Sequence, residues 1–286
     1  MTADPNTAPS EGRFERVGDI DVYFRDAGSG EPVILLNHGM ASSSSVWEGD
    51  PTAYASFVDA FAAHFRVIVP DPRGSGRTAH NGGPITYDRL ADDLAGLVEA
   101  LELERPLLCG FSDGAMTATV LGIRHPDVAR AIVNHGGYDL FNPIAPSLGM
   151  ARQMLGGSPH ATEPSFDAID ALSKQVPPLA QLFARMKRDH DEAQGPGHWK
   201  TVLAWTFPRI SQPSGYAFDD LAKIVVPTLI LVGDRDQFCS VEEGAQAYRS
   251  LEKGELAVLP GTGHLITPLA VQVAIEFLER ELAQAA

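Results

Sequence analysis

The sequence predicts a parallel, doubly wound α/β sheet. Short apolar runs, typical of strands buried on both faces, alternate with longer segments of helical periodicity. The regular succession of strand, helix and strand favours parallel strands joined by helices. The 286 residues, 44% of them hydrophobic and 21% charged, are enough to bury one large core or a core that carries an insertion.

Six apolar runs are predicted as strands, and they cover residues 32–39, 66–74, 106–112, 131–137, 227–234 and 255–263. Helices are predicted between them. Between residues 87 and 103 one helical face carries Leu90, Leu94, Leu97, Val98 and Leu101. Near the C-terminus the same pattern returns at Leu269, Val273 and Phe277.

The alternation of strands and helices is interrupted once, between about residues 138 and 216. Helical pieces such as 178–189 are separated there by proline and glycine, and no strand is predicted. A loop of that length is rare in a compact domain, so we interpret the segment as an inserted helical subdomain. The predicted organisation is a disordered tail over 1–12, a core made of 13–137 and 217–286, and a helical cap over 138–216.

Composition narrows the range of partners. The net charge of -15, from 37 acidic and 22 basic side chains, would repel nucleic acid and an anionic membrane surface. Cys109 and Cys239 lack the spacing of a disulfide framework or a zinc site. The first dozen residues lack the basic and apolar parts of a signal peptide, and no run of eighteen apolar residues occurs. We therefore expect a cytoplasmic protein without nucleic-acid or membrane partners, and the sequence leaves a homodimer open.

One serine stands between two glycines directly after a predicted strand, in the stretch Gly110-Phe111-Ser112-Asp113-Gly114. This G-x-S-x-G pattern is typical of a tight strand-to-helix turn that lifts the serine hydroxyl above the sheet edge. An ordinary strand-to-helix turn can have the same sequence pattern, so partner residues are needed to indicate that the serine is a nucleophile.

The partners of a nucleophilic serine are a histidine that takes its proton and a carboxylate that orients the histidine. His264 follows the last predicted strand, where a loop can place an imidazole over the sheet edge. Asp236 and Asp234 compete for the role of the acid. We favour Asp236, which lies further into the loop, because Asp234 directly follows the strand and is expected to make turn hydrogen bonds.

Two backbone N–H groups are expected to stabilise the oxyanion of a tetrahedral intermediate. One belongs to Asp113, the residue after Ser112, and the other to Met40 in the loop after an early strand. Gly39 permits that loop to turn tightly, and His38 is expected to brace it.

Large apolar side chains are frequent in the predicted cap. We expect some of them to line a substrate pocket and others to pack the cap helices together. His135 is a further candidate because it ends a strand at the functional edge. The candidate substrate-binding residues are Gly39, Trp47, His135, Met150, Met154, Trp205 and Phe207.

Five motifs, NHGM, DPRGSGRT, GFSDG, GDRD and GTGH, occur in the order and at the approximate spacings of the α/β-hydrolase superfamily, which the chain therefore resembles. The resemblance implies an eight-stranded, mostly parallel sheet flanked by helices, with the insertion as a cap over a pocket. It also implies a catalytic triad of Ser112, Asp236 and His264, an oxyanion hole of Met40 and Asp113, and neither cofactor nor metal. The turn that contains Asp71, Arg73, Gly74 and Gly76 is architectural in this superfamily.

The elbow around Ser112 is similar to that of valacyclovir-hydrolase-like enzymes, and so is the segment from residue 197 to 238. In that subgroup the acid beside the serine is associated with recognition of a substrate amino group, which implies such a role for Asp113. The alternative is that Asp113 favours the helix N-terminal dipole and points away from substrate.

The resemblance implies a cofactor-free serine hydrolase that acts on a small or medium carboxylic ester or lactone. A carbon–carbon bond hydrolase and a cofactor-free haloperoxidase use the same triad and remain alternatives. An alternative of another class is a non-catalytic receptor for small molecules on a hydrolase fold. Epoxide hydrolases and haloalkane dehalogenases are disfavoured because they carry an aspartate where Ser112 stands.

Overall fold

A mostly parallel, eight-stranded sheet forms the centre of the protein. The computed structural model describes residues 12–36, 42–48, 56–83 and 85–285, so the tail predicted over 1–12 lies almost wholly outside the described residues. The strands are β1 (Arg13–Val17), β2 (Ile20–Gly28), β3 (Pro32–Leu36), β4 (Arg66–Pro70), β5 (Leu107–Phe111), β6 (Ala131–His135), β7 (Thr228–Gly233) and β8 (Gly254–Leu259).

The strand order is β1-β2-β4-β3-β5-β6-β7-β8. The pairs β1·β2 and β2·β4 are antiparallel, whereas every pair from β4 to β8 is parallel. Each of the six predicted apolar runs overlaps one of the strands from β3 to β8. The pattern of apolar runs does not reveal β1 and β2. Strand β1 is an edge strand that exposes most of its side chains, and the second half of β2 is only partly buried.

Nine α-helices occur within the described residues: α1 (Phe57–Ala62), α2 (Tyr87–Ala100), α3 (Asp113–Arg124), α4 (Pro146–Gly156), α5 (Phe166–Gln175), α6 (Pro177–Gln194), α7 (His198–Ser211), α8 (Val241–Ser250) and α9 (Pro268–Ala285). Among these, no helix combines the length and the apolar character that crossing a membrane requires.

Alternate side chains of the central strands supply two separate cores. Ile34 of β3 belongs to one cluster of buried side chains, together with residues of α2, α3 and α8. Its neighbours Val33 and Leu35 belong to a second cluster, together with residues of α1 and α9. Because successive side chains of a strand point to opposite faces, both faces of the sheet are covered by helices and its strands are apolar throughout.

Four helices, α4 to α7, follow one another between β6 and β7, and we refer to this stretch (146–211) as the helical insertion. It has a hydrophobic core of its own, in which Leu155, Ile169, Phe183 and Phe207 are almost fully buried. The carboxyl ends of β5, β6 and β7 therefore lie next to a separately packed layer of helices.

The turn after β4 contacts both the sheet and the helical insertion. Asp71 is fully buried and accepts hydrogen bonds from the backbone N–H groups of Ser44 and Arg77, at 2.7 and 2.9 Å. Gly76 has a φ of +52°, and a Cβ at this position would lie only 2.1 Å from the Asp71 carboxylate. The backbone N–H of Gly76 donates to His190 of α6, so the turn has a structural function at this boundary.

Candidate active site

Ser112 lies at the sharp turn between β5 and α3. Its φ of 54° and ψ of -119° place a non-glycine residue in a region that L-amino acids rarely adopt. Such a conformation costs on the order of 1–3 kcal/mol and persists only when surrounding contacts enforce it. A Cβ at Gly110 would lie 2.5 Å from the carbonyl oxygen of Gly114, and one at Gly137 would lie 2.3 Å from that of Ser112. Both glycines are therefore required for the close passage of chains around the serine.

His264 connects Ser112 to Asp236 by two hydrogen bonds. Its Nδ1 atom lies 2.8 Å from Oδ2 of Asp236, and its Nε2 atom lies 2.9 Å from Oγ of Ser112. An ionised carboxylate can only accept a hydrogen bond, so Nδ1 carries the proton. Nε2 is then free to accept the proton of the serine hydroxyl, which is the arrangement that general-base activation requires.

Asp236 is held in its ionised form by three donors. Besides His264, the backbone N–H groups of Phe238 and Cys239 donate to Oδ1 at 2.8 and 2.9 Å. Burial raises the pKa of Asp236, but the hydrogen bond and the charge of His264, together with the two backbone donors, outweigh burial and lower the pKa overall. Asp234, the alternative acid, is exposed and lies 3.9 Å from Arg235.

Two aromatic rings and a glycine fix the position of the His264 imidazole. The rings of Phe111 and Phe238 have centroids 5.0 and 4.9 Å from its own. A Cβ at Gly136 would lie 3.2 Å from Cε1 of the imidazole. The imidazole and the Asp236 carboxylate are almost fully shielded from solvent, which strengthens the electrostatic interaction between them.

The predicted oxyanion hole falls only partly on described residues. Asp113 is the first residue of α3, where a backbone N–H has no acceptor within the helix. The expected second donor, Met40, and the neighbouring Gly39 and His38 lie outside the described residues.

The side chain of Asp113 is paired with a residue of the helical insertion. Arg209 of α7 donates to Asp113 through Nη2 at 2.5 Å and through Nε at 3.1 Å, and the Tyr87 hydroxyl donates to Oδ1 at 2.6 Å. The Arg209 and Asp113 side chains are only 8% and 10% exposed. Burial and the charge of this carboxylate together raise the pKa of Tyr87 well above its ordinary value. The Asp113 carboxylate therefore already has a cationic partner, which disfavours the contact with a substrate amino group that the resemblance to valacyclovir-hydrolase-like enzymes implies.

A cavity of about 140 Å³ opens onto Ser112 and His264. The helical insertion lines it with Ser147, Ala151, Met154, Leu179, Leu182 and Ile210. Asp113, Asp139, Gln237 and Phe238 line it from the core. A cavity of roughly 150 Å³ accommodates a benzene ring, so this one fits a group of about six carbons.

The candidate substrate-binding residues of the helical insertion are divided between the cavity and other sites. Met154 lines the cavity, and Met150, Trp205 and Phe207 are not among the described residues that do so. Trp205 instead packs edge-on against His80, with ring centroids 4.6 Å apart. Phe207 is fully buried in the core of the insertion. Large apolar residues line pockets and also pack helices together, so residue type alone does not distinguish the two positions.

The candidates outside the insertion have structural positions. Trp47 is buried and donates from Nε1 to the carbonyl oxygen of Leu36 at 3.2 Å. His135 is buried beside Phe111, with ring centroids 4.8 Å apart. Neither residue is among the described residues that line the cavity. The side chain of Trp47 belongs to the core beneath the sheet, and that of His135 packs against Phe111 of the neighbouring strand β5.

Asp236, Cys239 and His264 are the one described group of three potential metal ligands with ligand atoms within 4.8 Å of one another. Each of these atoms already takes part in another interaction. The Cys239 thiol donates to the carbonyl oxygen of Gly136 at 3.1 Å, and burial raises its pKa well above the ordinary value. Hydrogen bonds therefore account for all three side chains.

The sequence analysis does not identify several residues of the cavity wall or its support, among them Tyr87, Asp139, Ser147 and Arg209. Asp139 follows β6 at the same sheet edge as the triad, and this position could have singled it out. Arg209 lies 96 residues from its partner Asp113, and no local pattern indicates that contact.

Residues 33–274 match the family model described as Alpha/beta hydrolase family. A 2-hydroxy-6-oxo-6-(2'-aminophenyl)hexa-2,4-dienoic acid hydrolase of Metapseudomonas resinovorans is 26% identical over 257 residues, which cover 88% of this chain and 84% of the relative. A non-heme haloperoxidase of Rhodococcus erythropolis is 28% identical over 261 residues, which cover 85% and 89% of the two chains.

Solved structures are similar along almost the whole chain. A thermophilic esterase from Thermogutta terrifontis has a TM-score of 0.70 and 24% identity, and the match covers 95% of this chain and 99% of the esterase. At this level of identity the likeness bears on the fold alone.

Proposed function

Because the chain belongs to the alpha/beta hydrolase family, we propose that it is a serine hydrolase that cleaves a small carboxylic ester or lactone through an acyl-enzyme on Ser112. The observation that carries the proposal is the pair of hydrogen bonds at His264, whose Nε2 accepts from the Ser112 hydroxyl at 2.9 Å and whose Nδ1 donates to Asp236 at 2.8 Å. A binding protein would not require an imidazole in register with a hydroxyl and a carboxylate.

In the first half-reaction the Ser112 oxygen attacks the substrate carbonyl while its proton moves to Nε2 of His264. The charge of Asp236 stabilises the resulting imidazolium, and the backbone N–H of Asp113 donates to the oxyanion. When the tetrahedral intermediate collapses, the C–O bond breaks and the imidazolium gives its proton to the departing alcohol oxygen. Ser112 then carries the acyl group as an ester.

In the second half-reaction water attacks the acyl carbonyl and transfers a proton to Nε2 of His264. Collapse of this intermediate breaks the bond to the Ser112 oxygen, which takes the proton back from the imidazolium. The products are a carboxylic acid and an alcohol, or a hydroxy acid if the substrate is a lactone. The residues of the chain supply every proton transfer, so this chemistry calls for no cofactor.

The size of the cavity limits the acyl group. About 140 Å³ and walls formed by Met154, Leu179 and Leu182 suit an apolar acyl chain of about four to six carbons. Longer chains would have to extend out of the cavity and would lose its contacts.

A panel of p-nitrophenyl esters of graded acyl length, together with aliphatic lactones, tests the proposal. We expect kcat/KM to peak at four to six acyl carbons and to fall for longer chains. Labelling of Ser112 by a fluorophosphonate measures nucleophile reactivity independently of substrate choice. Absence of both labelling and turnover would favour the small-molecule receptor, and labelling without turnover of any ester or lactone would reject the ester and lactone assignment.

Carbon–carbon bond hydrolysis is the second candidate, and the similarity to the dienoic acid hydrolase of Metapseudomonas resinovorans favours it. The same triad would act on a ketone whose neighbouring carbon leaves as a stabilised carbanion. Turnover of a 2-hydroxy-6-oxo-dienoic acid with a larger kcat/KM than that of any ester in the panel would replace our proposal by this one.

The haloperoxidase alternative is tested by halogenation of a chromogenic acceptor in the presence of hydrogen peroxide and acetate.

A further inference from the structure

Asp139 is a buried acid in the wall of the cavity that the triad does not use. It follows β6, is 9% exposed, and lines the same cavity as Ser112 and His264. The Cys239 thiol lies 3.5 Å from its Oδ1 atom, which is a weak contact. Within the described part of the chain, no arginine or lysine forms an ion pair with Asp139, in contrast to Asp113, which Arg209 neutralises.

Ser147 lies beside Asp139 in the cavity wall, in the first turn of α4. It is 3% exposed, and its hydroxyl makes no hydrogen bond of good geometry to any described residue. Burial raises the pKa of Asp139, and a weak hydrogen bond from the Ser147 hydroxyl lowers it by less. A buried hydroxyl that makes no well-formed hydrogen bond costs free energy, so its position in a cavity wall favours a ligand group that can form one with it.

A carboxyl group that is buried without a cation favours its protonated form, in which it donates one hydrogen bond. The Ser147 hydroxyl can both donate and accept. Together the two side chains present hydrogen-bond donors inside a cavity whose other walls are largely apolar. The complementary ligand group is an uncharged oxygen.

We propose that Asp139 and Ser147 form a polar subsite that binds a second oxygen function of the substrate, a ketone or hydroxyl group in the acyl chain several carbons from the scissile carbonyl. This inference rests on the proposed function, because it assigns the cavity to the acyl group. The substrate class is therefore an oxo- or hydroxyacyl ester, or the corresponding lactone, rather than a simple fatty acyl ester.

Two p-nitrophenyl esters with equal chain length test the subsite: the pentanoate and the 4-oxopentanoate. Rates are divided by those of alkaline hydrolysis, which removes differences in chemical reactivity. We expect the normalised kcat/KM to favour the oxo ester by on the order of tenfold, which corresponds to about 1.4 kcal/mol. A ratio near one in the unmodified protein overturns the proposal.

Substitutions assign the preference to the two side chains. Asp139→Asn keeps an uncharged donor of the same shape and should preserve the preference within about threefold, whereas Asp139→Leu should abolish it. Ser147→Ala should reduce it, and Ser211→Ala, which alters a buried serine of α7 away from the cavity, should not. A preference that survives both Asp139→Leu and Ser147→Ala overturns the proposal.

A charged pair of esters distinguishes an uncharged from an ionised Asp139. If the p-nitrophenyl ester of 6-aminohexanoate is preferred over that of hexanoate, and Asp139→Asn abolishes this preference, then Asp139 binds a cation and the oxygen subsite is rejected. We expect no such preference.

Binding without turnover separates this inference from the proposed function. Calorimetric titration of the Ser112→Ala variant with N-phenylpentanamide and its 4-oxo counterpart measures the subsite in the absence of hydrolysis. Tighter binding of the oxo amide, lost with Asp139→Leu, supports the subsite even if no ester is cleaved. Equal dissociation constants reject the subsite even if esters are hydrolysed through Ser112.

Discussion

The Arg209 guanidinium lies 2.5 Å from the Asp113 carboxylate, so a residue of the helical insertion is paired with the residue that directly follows Ser112. This contact crosses from α7 to the N-terminus of α3 and is almost completely buried. It holds the insertion against the turn that carries Ser112. It also cancels a negative charge that would oppose the formation of an oxyanion nearby.

Breaking this ion pair from either side should destabilise the protein. We expect Arg209→Met and Asp113→Asn each to lower the free energy of unfolding by about 3–5 kcal/mol, because each leaves a buried charge without its partner. The double variant should lose clearly less than the sum of the two. Urea unfolding of all four proteins measures the coupling, and strictly additive losses would show that the two side chains do not stabilise each other.

We expect the same pair to determine the rate at which the protein hydrolyses cationic substrates. Because Arg209 already neutralises Asp113, we expect aminoacyl esters to be hydrolysed no faster than matched neutral esters. Arg209→Met should create a preference for the aminoacyl ester on the order of tenfold, or about 1.4 kcal/mol, whereas Arg209→Lys should not. Steady-state kcat/KM values measure this. A strong aminoacyl preference in the unmodified protein that Arg209→Met leaves unchanged would refute this role of the pair.

The two neighbouring acids of the loop after β7 should differ sharply in their effect on rate. Asp236→Asn should lower kcat by about 10⁴, because the amide no longer holds His264 in the required tautomer. Asp234→Asn should change kcat less than about twofold, since Asp234 is exposed and lies outside the triad. Both variants should keep the circular dichroism spectrum of the unmodified protein, and the reverse order of rates would transfer the acid role to Asp234.

Asp139 should make stability depend on pH in a definite direction. Burial raises its pKa in the folded state above the ordinary 3.8, so the folded protein binds its proton more tightly than the unfolded chain does. The free energy of unfolding therefore falls as the pH rises from about 3.8 through the raised pKa of Asp139. Asp139→Asn removes this loss and should increase the free energy of unfolding at pH 7, by about 1.4 kcal/mol for each unit of the shift.

The gain from Asp139→Asn should disappear as the pH falls towards 4, which unfolding curves at several pH values measure. Asp71→Asn is the matched control, because burial also raises the pKa of Asp71 but its carboxylate accepts two backbone N–H groups. That substitution should destabilise the protein at pH 7. A gain from Asp139→Asn that persists unchanged at pH 4 would contradict the effect assigned to ionisation.

Much of the fold is predictable because the central strands are buried on both faces and therefore appear as uninterrupted apolar runs, as in β5 and β7. The edge strand β1 escapes because its exposed side chains remove that signal. Ser112, Asp236 and His264 are identifiable because each stands next to the end of a strand, where the chain itself indicates the functional edge.

The walls of the cavity could not be predicted in the same way. Met154 lines it while Phe207 packs inside the helical insertion, although both are large apolar residues of a helical segment. The difference depends on how the helices rotate against one another, which helical periodicity does not encode. For the same reason the partners of Asp113 appear only in three dimensions, since Tyr87 and Arg209 are distant from it in sequence.

The most direct test of the proposed function is mass spectrometry of the protein quenched in acid during turnover of p-nitrophenyl pentanoate. We predict that the peptide containing Ser112 gains the mass of one pentanoyl group and that Ser112→Ala gains none. Continued hydrolysis of the ester by Ser112→Ala, or acylation confined to another residue, would contradict an acyl-enzyme on Ser112.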